Sequence, residues 1–240
     1  MSNVRTVSDT KRLFYTIHTR PISSIYRRIV EELIVEMHLL SVNIDFSYDA
    51  VYALGVVTTF NRFMQGYRPD NDKESIFQAL CRAIEADPQQ YRSDAEKLSA
   101  EASESSKDVL LATLKLTDDA PEGAIKNLVR AIAGSDSFKY SRLFGIGLYS
   151  LLEAVNPELV KDKEQIAEMV EAFSSSLSLP EDKLSKDIET YQLSLDKMIQ
   201  AQIVLSDMVK ADRKKREERE AKKSGASTPE NEEVTASPDA

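Results

Sequence analysis

The chain has 240 residues, with 31 Lys and Arg against 40 Asp and Glu, and a formal net charge of −9. Hydrophobic residues make up 42% and charged residues 30%, enough of each for a buried core beneath a hydrated surface. A single cysteine, Cys81, excludes an internal disulfide framework, and one cysteine with two histidines excludes a Cys/His zinc site.

No uncharged run approaches the ~20 residues of a spanning helix. No apolar signal segment follows Met1, whose neighbours lead into Arg5, Thr6, Val7 and Ser8. The expectation is a soluble protein in a reducing compartment. Only 7 glycines occur, well under the usual ~7%. Hairpin turns need residues at positive φ, so glycine scarcity argues against strands. Pro88, Pro121, Pro157 and Pro180 each precede a helical pattern, where a missing N–H is tolerated. The predicted fold class is all-α.

In chain order, a short first helix is predicted, capped at Ser8 and carrying Leu13, Phe14 and Ile17. The second runs from residue 21 to about 43. Ile22, Ile25, Tyr26, Ile29, Val30, Leu33, Ile34, Met37 and Leu40 recur there at three- and four-residue steps, making one broad apolar face. Arg27, Arg28, Glu31, Glu32 and Glu36 take the rest, with Arg28 and Glu32 spaced to pair. The third, about 48–67, is apolar nearly all round and is predicted to be the central buried helix. Further helices are predicted at about 72–86, 88–103, 106–116, 121–133, 137–155 and 158–173. Cys81 shares a face with Ile76, Phe77, Leu80 and Ile84 and reads as a small core residue. Gly145 and Gly147 read as a place where a neighbouring helix comes close, since no strand precedes them to make a phosphate loop.

From residue 181 to 223 there is neither Gly nor Pro, so one helix of ~43 residues, roughly 65 Å long, is predicted. Its inner half carries a seam in alternating steps of four and three: Leu184, Ile188, Tyr191, Leu195, Met198, Gln202, Leu205 and Val209. Residues 210–223 are built mainly from charges at i,i+4 spacing and bury nothing of their own, so this end is expected to project. Residues 224–240, rich in Ser, Thr, Pro and Glu, are expected to be disordered. The expected organisation is a helical body over 1–179, a long helix over 180–223 and a tail.

Catalytic and metal motifs are missing. His38 follows Glu36 by two residues, whereas a helix-borne carboxylate–His metal site wants a spacing of three, and position 35 is Val. There is no nucleophile elbow, phosphate loop or dinucleotide fingerprint. Charge is more informative. Residues 1–30 hold six Lys/Arg against Asp9 alone, and residues 207–223 hold eight against five acids. Two contact surfaces are expected: Arg12, His18, Arg20, Arg27 and Arg28 on the N-terminal helices, and Arg213, Lys214, Lys215, Arg216 and Arg219 on the long helix. The acidic balance and lack of a reading motif argue against nucleic acid.

The stretches Thr6-Val7-Ser8-Asp9-Thr10-Lys11-Arg12, His18-Thr19-Arg20-Pro21-Ile22 and Ser24-Ile25-Tyr26-Arg27-Arg28 closely resemble the thylakoid formation protein family. Glu36-Met37-His38-Leu39-Leu40, Phe63-Met64-Gln65-Gly66-Tyr67 and Phe138-Lys139-Tyr140-Ser141-Arg142 are similar to it too, and the likeness covers roughly residues 4–210. Ala50 and Asn61 depart from the family pattern. The resemblance implies an all-helical, non-enzymatic, cofactor-free protein, peripheral to thylakoids on their cytoplasmic side and of the cyanobacterial type. It implies a role in thylakoid organisation and in photosystem II assembly and repair, with thylakoid FtsH protease complexes or photosystem II assembly intermediates as partners. The expected state is a monomer or weak homo-oligomer. Two rival readings stand beside this adaptor: a peripheral module acting directly on lipid or vesicles, and an enzyme built around Glu31, Glu32 and Glu36.

Overall fold

Local side-chain caps mark the starts of six helices. The computed structural model describes residues 5–135 and 138–224, with the side chains of 219 and 221–224 left aside. Among the described residues there are ten helices and no strand. Helix α1 (Val7–Ile17) starts at Thr6, whose hydroxyl accepts from the Asp9 N–H while the Asp9 carboxylate accepts from the Thr6 N–H. This reciprocal box places the start two residues before the expected cap at Ser8, because only Thr6 has an acid three residues on. The α1 stripe that is buried is Thr10, Phe14 and His18, not Leu13 and Ile17, and Ile17 is exposed.

Helix α2 (Ser24–Ser41) buries Tyr26, Val30, Leu33, Ile34, Met37 and His38. Asp49 caps α3 (Ala50–Phe63) by accepting from the Tyr52 N–H at 2.8 Å. Helix α4 (Asn71–Ala83) buries Cys81, and α5 (Pro88–Ser103) begins at Pro88 with Asp87 as its cap. Ser106 caps α6 (Lys107–Leu114).

The starts of α7, α8 and α9 lie three to five residues later than predicted. Helix α7 (Ala124–Ala133) begins after Gly123 rather than at 121, because its first N–H groups are satisfied from another helix. Glu101 of α5 accepts from the Ala124 N–H at 2.7 Å and the Ile125 N–H at 3.0 Å. Ser141 caps α8 (Arg142–Val155), and Asp162 caps α9 (Lys163–Leu177), in place of the expected starts at 137 and 158. A turn follows Asn156, whose side-chain oxygen accepts from the Glu158 N–H. Helix α10 (Glu181–Ser224) runs unbroken for 44 residues, as the absence of Gly and Pro predicts. Beyond Ser224, the tail expected to be disordered lies outside the described residues.

The chain divides into two units, one ending at Leu195 and the other starting at Asp196. Within the first, α3 packs most extensively on α8 and then on α5. Every residue from 51 to 56 and from 143 to 152 is buried. The α3–α8 crossing is close because glycine occupies it from both sides. A Cβ on Gly55 would land on the Leu143 carbonyl oxygen, and one on Gly147 on the Val51 carbonyl. The close approach expected of a neighbouring helix is therefore present at Gly147, with α3 as the neighbour, whereas a Cβ on Gly145 would meet the Tyr140 hydroxyl and the Leu184 side chain. The start of α10 completes this unit. Leu184, Ile188 and Tyr191 are buried, the Tyr140 hydroxyl donates to Asp187 at 2.9 Å, and the Tyr191 ring meets Phe63 and Tyr149 edge-on.

The second unit contains the rest of α10. Ile199, Ile203, Val204, Leu205, Met208 and Val209 are exposed there. Of the expected i,i+4 pairs, Arg213 Nε donates to Glu217 at 2.8 Å.

Candidate interaction surfaces

Helix α1 lies against α2 and α4, and the α1–α2 junction, with Arg142 of α8, borders an open groove of about 650 Å³. Its charges are arranged as pairs. Lys11 Nζ meets Glu31 Oε2 at 3.0 Å while the Tyr15 hydroxyl donates to Glu31 Oε1 at 3.0 Å. These two hydrogen bonds, Lys11 first, hold the Glu31 carboxyl below its usual range. Burial, reinforced by that same bond to Glu31, pushes the Tyr15 phenol up to about 12. Arg28 Nε donates to Glu32 at 2.9 Å, the i,i+4 pair predicted above. Arg142 grips Glu36 through Nη2 at 2.5 Å and Nε at 3.2 Å. The bond from Arg142 to Glu36 raises the guanidinium pKa further. Glu31, Glu32 and Glu36, the residues of the enzyme reading, are thus each held by a base. Across all described residues, no three His, Cys, Asp or Glu side chains gather as metal ligands.

The five N-terminal residues expected to form a contact surface fall in different settings. Arg12 is exposed and pairs with Asp9 at 2.7 Å. Arg20 reaches down to Asp72, whose side chain is buried. Arg27 and Arg28 are exposed along the groove, Arg27 within electrostatic reach of Glu31. His18 is different: the residue is 2% exposed, with Nδ1 3.0 Å from the Ser75 hydroxyl. It contributes nothing to an outer contact surface, because the helical period that carries Phe14 inward carries His18 with it. Burial lowers its pKa, Arg20 lowers it further and Asp72 opposes them. His38, on the facing side of α2, is likewise buried with Nδ1 2.8 Å from the Thr10 hydroxyl, and burial lowers its pKa too.

On α10, Arg213, Lys214, Lys215 and Arg216 are all exposed, and the Arg219 side chain lies outside the described ones. They follow within a turn of the exposed Ile203, Val204, Leu205, Met208 and Val209, so one helical segment presents mainly apolar side chains first and then positive charge. No described helix is long and apolar enough to cross a membrane.

Set beside known proteins, the chain is matched over residues 6–220 by a family model described as thylakoid formation protein. Protein Thf1 of Nostoc punctiforme is 60% identical over 220 residues, covering 91% of this chain and 94% of that protein. Protein Thf1 of Trichormus variabilis is 57% identical over 233 residues, covering 97% of this chain and 100% of that one. Among solved structures, that of Psb29 at 1.55 Å is similar with a TM-score of 0.76 and 41% identity, over 88% of this chain and 98% of that chain.

Proposed function

The chain belongs to the thylakoid formation protein family, and from that we propose an accessory factor for thylakoid biogenesis and for photosystem II assembly and repair. It works without chemistry of its own, by binding thylakoid FtsH protease complexes and promoting their accumulation. It sits peripherally on the cytoplasmic side of the membrane. The observation that carries this reading is the family match itself, over residues 6–220 and nearly the full length of the curated relatives. The fold is consistent with it, because the acids of the enzyme reading are locked in ion pairs, whereas Arg213 to Arg216 are exposed.

The contact proposed for the protease is the charged part of α10. Reversing Arg213, Lys214, Lys215 and Arg216 to Glu should leave the helical signal and melting temperature unchanged, because exposed charges contribute little to folding. Recovery of FtsH protease with the tagged protein from thylakoid extracts should fall at least tenfold. Undiminished recovery would remove this segment from the mechanism. The lipid-acting alternative is weighed by flotation with anionic vesicles in the absence of partners. Little binding through the N-terminal helices is expected, because Lys11, Arg12, Arg20 and Arg28 are already paired with carboxylates. Salt-sensitive flotation would favour the lipid reading.

A further inference from the structure

Helices α2, α3, α8 and α10 meet around a small cavity of about 60 Å³, within the first unit. Leu33, Phe63 and Ile146 give it apolar walls, and Thr59, Tyr191 and Ser194 bring three hydroxyls to it.

Thr59 breaks a habit of this chain. A Ser or Thr hydroxyl on a helix can donate to the carbonyl four residues back, which leaves it satisfied without outside help. Thr16 donates in this way to Arg12 at 2.9 Å, Thr113 to Val109 at 2.8 Å, Ser150 to Ile146 at 2.8 Å and Ser194 to Thr190 at 2.7 Å. Thr59 is 4% exposed and lines the cavity, yet its Oγ1 has no protein partner. Buried hydroxyls are nearly always satisfied, by protein or by ordered water. The Tyr191 phenol opens on the same space but has the Arg62 guanidinium within reach, so Thr59 is the group without an alternative. Ser194 gives its proton to Thr190 and keeps its oxygen lone pairs for a further donor.

Size and charge decide the guest. At ~30 Å³ per molecule in the liquid, the cavity has room for about two waters and none for a metabolite. An ion would lose its hydration for little return. The two charged residues on the lining are already committed, Glu32 to Arg28 at 2.9 Å and Arg142 to Glu36 at 2.5 Å. Cavities stay dry when their lining is apolar throughout, whereas three hydroxyls here meet the two to four polar contacts an ordered water makes.

We propose that this cavity is a hydration site, in which ordered water accepts from the Thr59 hydroxyl and bridges it to Ser194 and Tyr191. The bridge fastens the start of α10 to the central helix α3, beside the apolar hold of the buried Leu184 and Ile188.

The experiment counts long-lived internal waters in the full-length protein by oxygen-17 relaxation dispersion, which exchanging hydroxyl protons do not disturb. Thr59→Val keeps the shape and the branched Cβ while removing the hydroxyl, and combined with Ser194→Ala it should lower the count by about two. Thr59→Ser keeps the hydroxyl and should hold the wild-type count. Stability gives a second reading of opposite sign for a wet and a dry site. Where water satisfies Thr59, Thr59→Val should lower the melting temperature by about 2–4 °C, because a hydrogen bond is lost. In a dry cavity the same change relieves a buried unpaired hydroxyl, and the melting temperature rises. An unchanged count in the double variant, or a rise in melting temperature for Thr59→Val, overturns the proposal. An equal loss of water in Thr59→Ser would assign the effect to shape and overturn the part given to the hydroxyl.

Discussion

His18 and His38 bracket the first helix, one at its end against Ser75, the other beneath its first turn against Thr10. Burial disfavours the imidazolium of both. Around His18 stand Asp72 and Arg20, and around His38 stand Asp9 and Arg5. The folded pKa values therefore lie below the ordinary 6.5, so below that pH the unfolded chain takes up protons that the folded chain does not. These residues contribute stability that is fully present above about pH 7 and is lost as pH falls through about 6.5 toward the folded values. Denaturant unfolding at about pH 8, 6 and 5 should show the loss, and His38→Asn, which retains a partner for Thr10, should make it shallower. Equal pH slopes for wild type and variant would contradict this. Cys81 shows the same force in a thiol: burial pushes it up to about 12, which makes it a packing residue and a poor nucleophile. Its apolar face was legible from its neighbours at helical spacing. The burial of His18 was not, because an imidazole beside Arg20 looks the same in sequence whether it faces water or Ser75.

Helices α2 and α4 begin without a side-chain cap bond, but in seven others a side chain satisfies the first N–H groups, and two kinds of cap behave differently. Local caps at Thr6, Asp49, Asp87, Ser106, Ser141 and Asp162 lie within four residues of the N–H groups they serve and in principle can be read in sequence, although apolar period alone placed the starts of α1, α8 and α9 elsewhere. The cap of α7 cannot, since Glu101 is 23 residues from Ala124 and belongs to another helix. Packing between elements follows a similar division. The pair Gly145 and Gly147 announces a close approach, but that only Gly147 meets α3, with Gly55 as the matching glycine, is set by the α3–α8 crossing. Gly55→Ala should lower stability by about 1–3 kcal/mol or more, since carbonyl backbone and not a flexible side chain stands where the methyl would go. Thermal unfolding would show a fall of several degrees. A variant as stable as the wild type would mean that the two helices separate without cost.

Across the whole chain, the seam predicted on α10 meets two fates. Leu184, Ile188 and Tyr191 are buried within the first unit, whereas Leu205 and Val209 in the second are 44% and 61% exposed. The heptad pattern is continuous through both, so the period alone did not reveal which part would be covered. Residues 211–218 are exposed throughout. Ending the chain after Lys210 should accordingly move the melting temperature by no more than about 2 °C, because exposed positions of this kind carry little folding energy. A larger fall in scanning calorimetry would show that the removed segment supports the fold. The same truncation should abolish protease recovery if the contact proposed above is right, so the two measurements separate stability from binding.

By itself the amino-acid sequence determined the all-helical class, the unbroken length of α10 and the family likeness. Helices close hydrogen bonds four residues apart, so capping residues, apolar period and missing Gly or Pro act within a short window. Only the tertiary structure decided that His18 turns inward, that Glu101 caps a distant helix, that Glu36 is held by Arg142 from 106 residues away, and that Thr59 shares a cavity with Tyr191 and Ser194. Those facts depend on which faces meet, and residues far apart in the chain meet only once the core has packed.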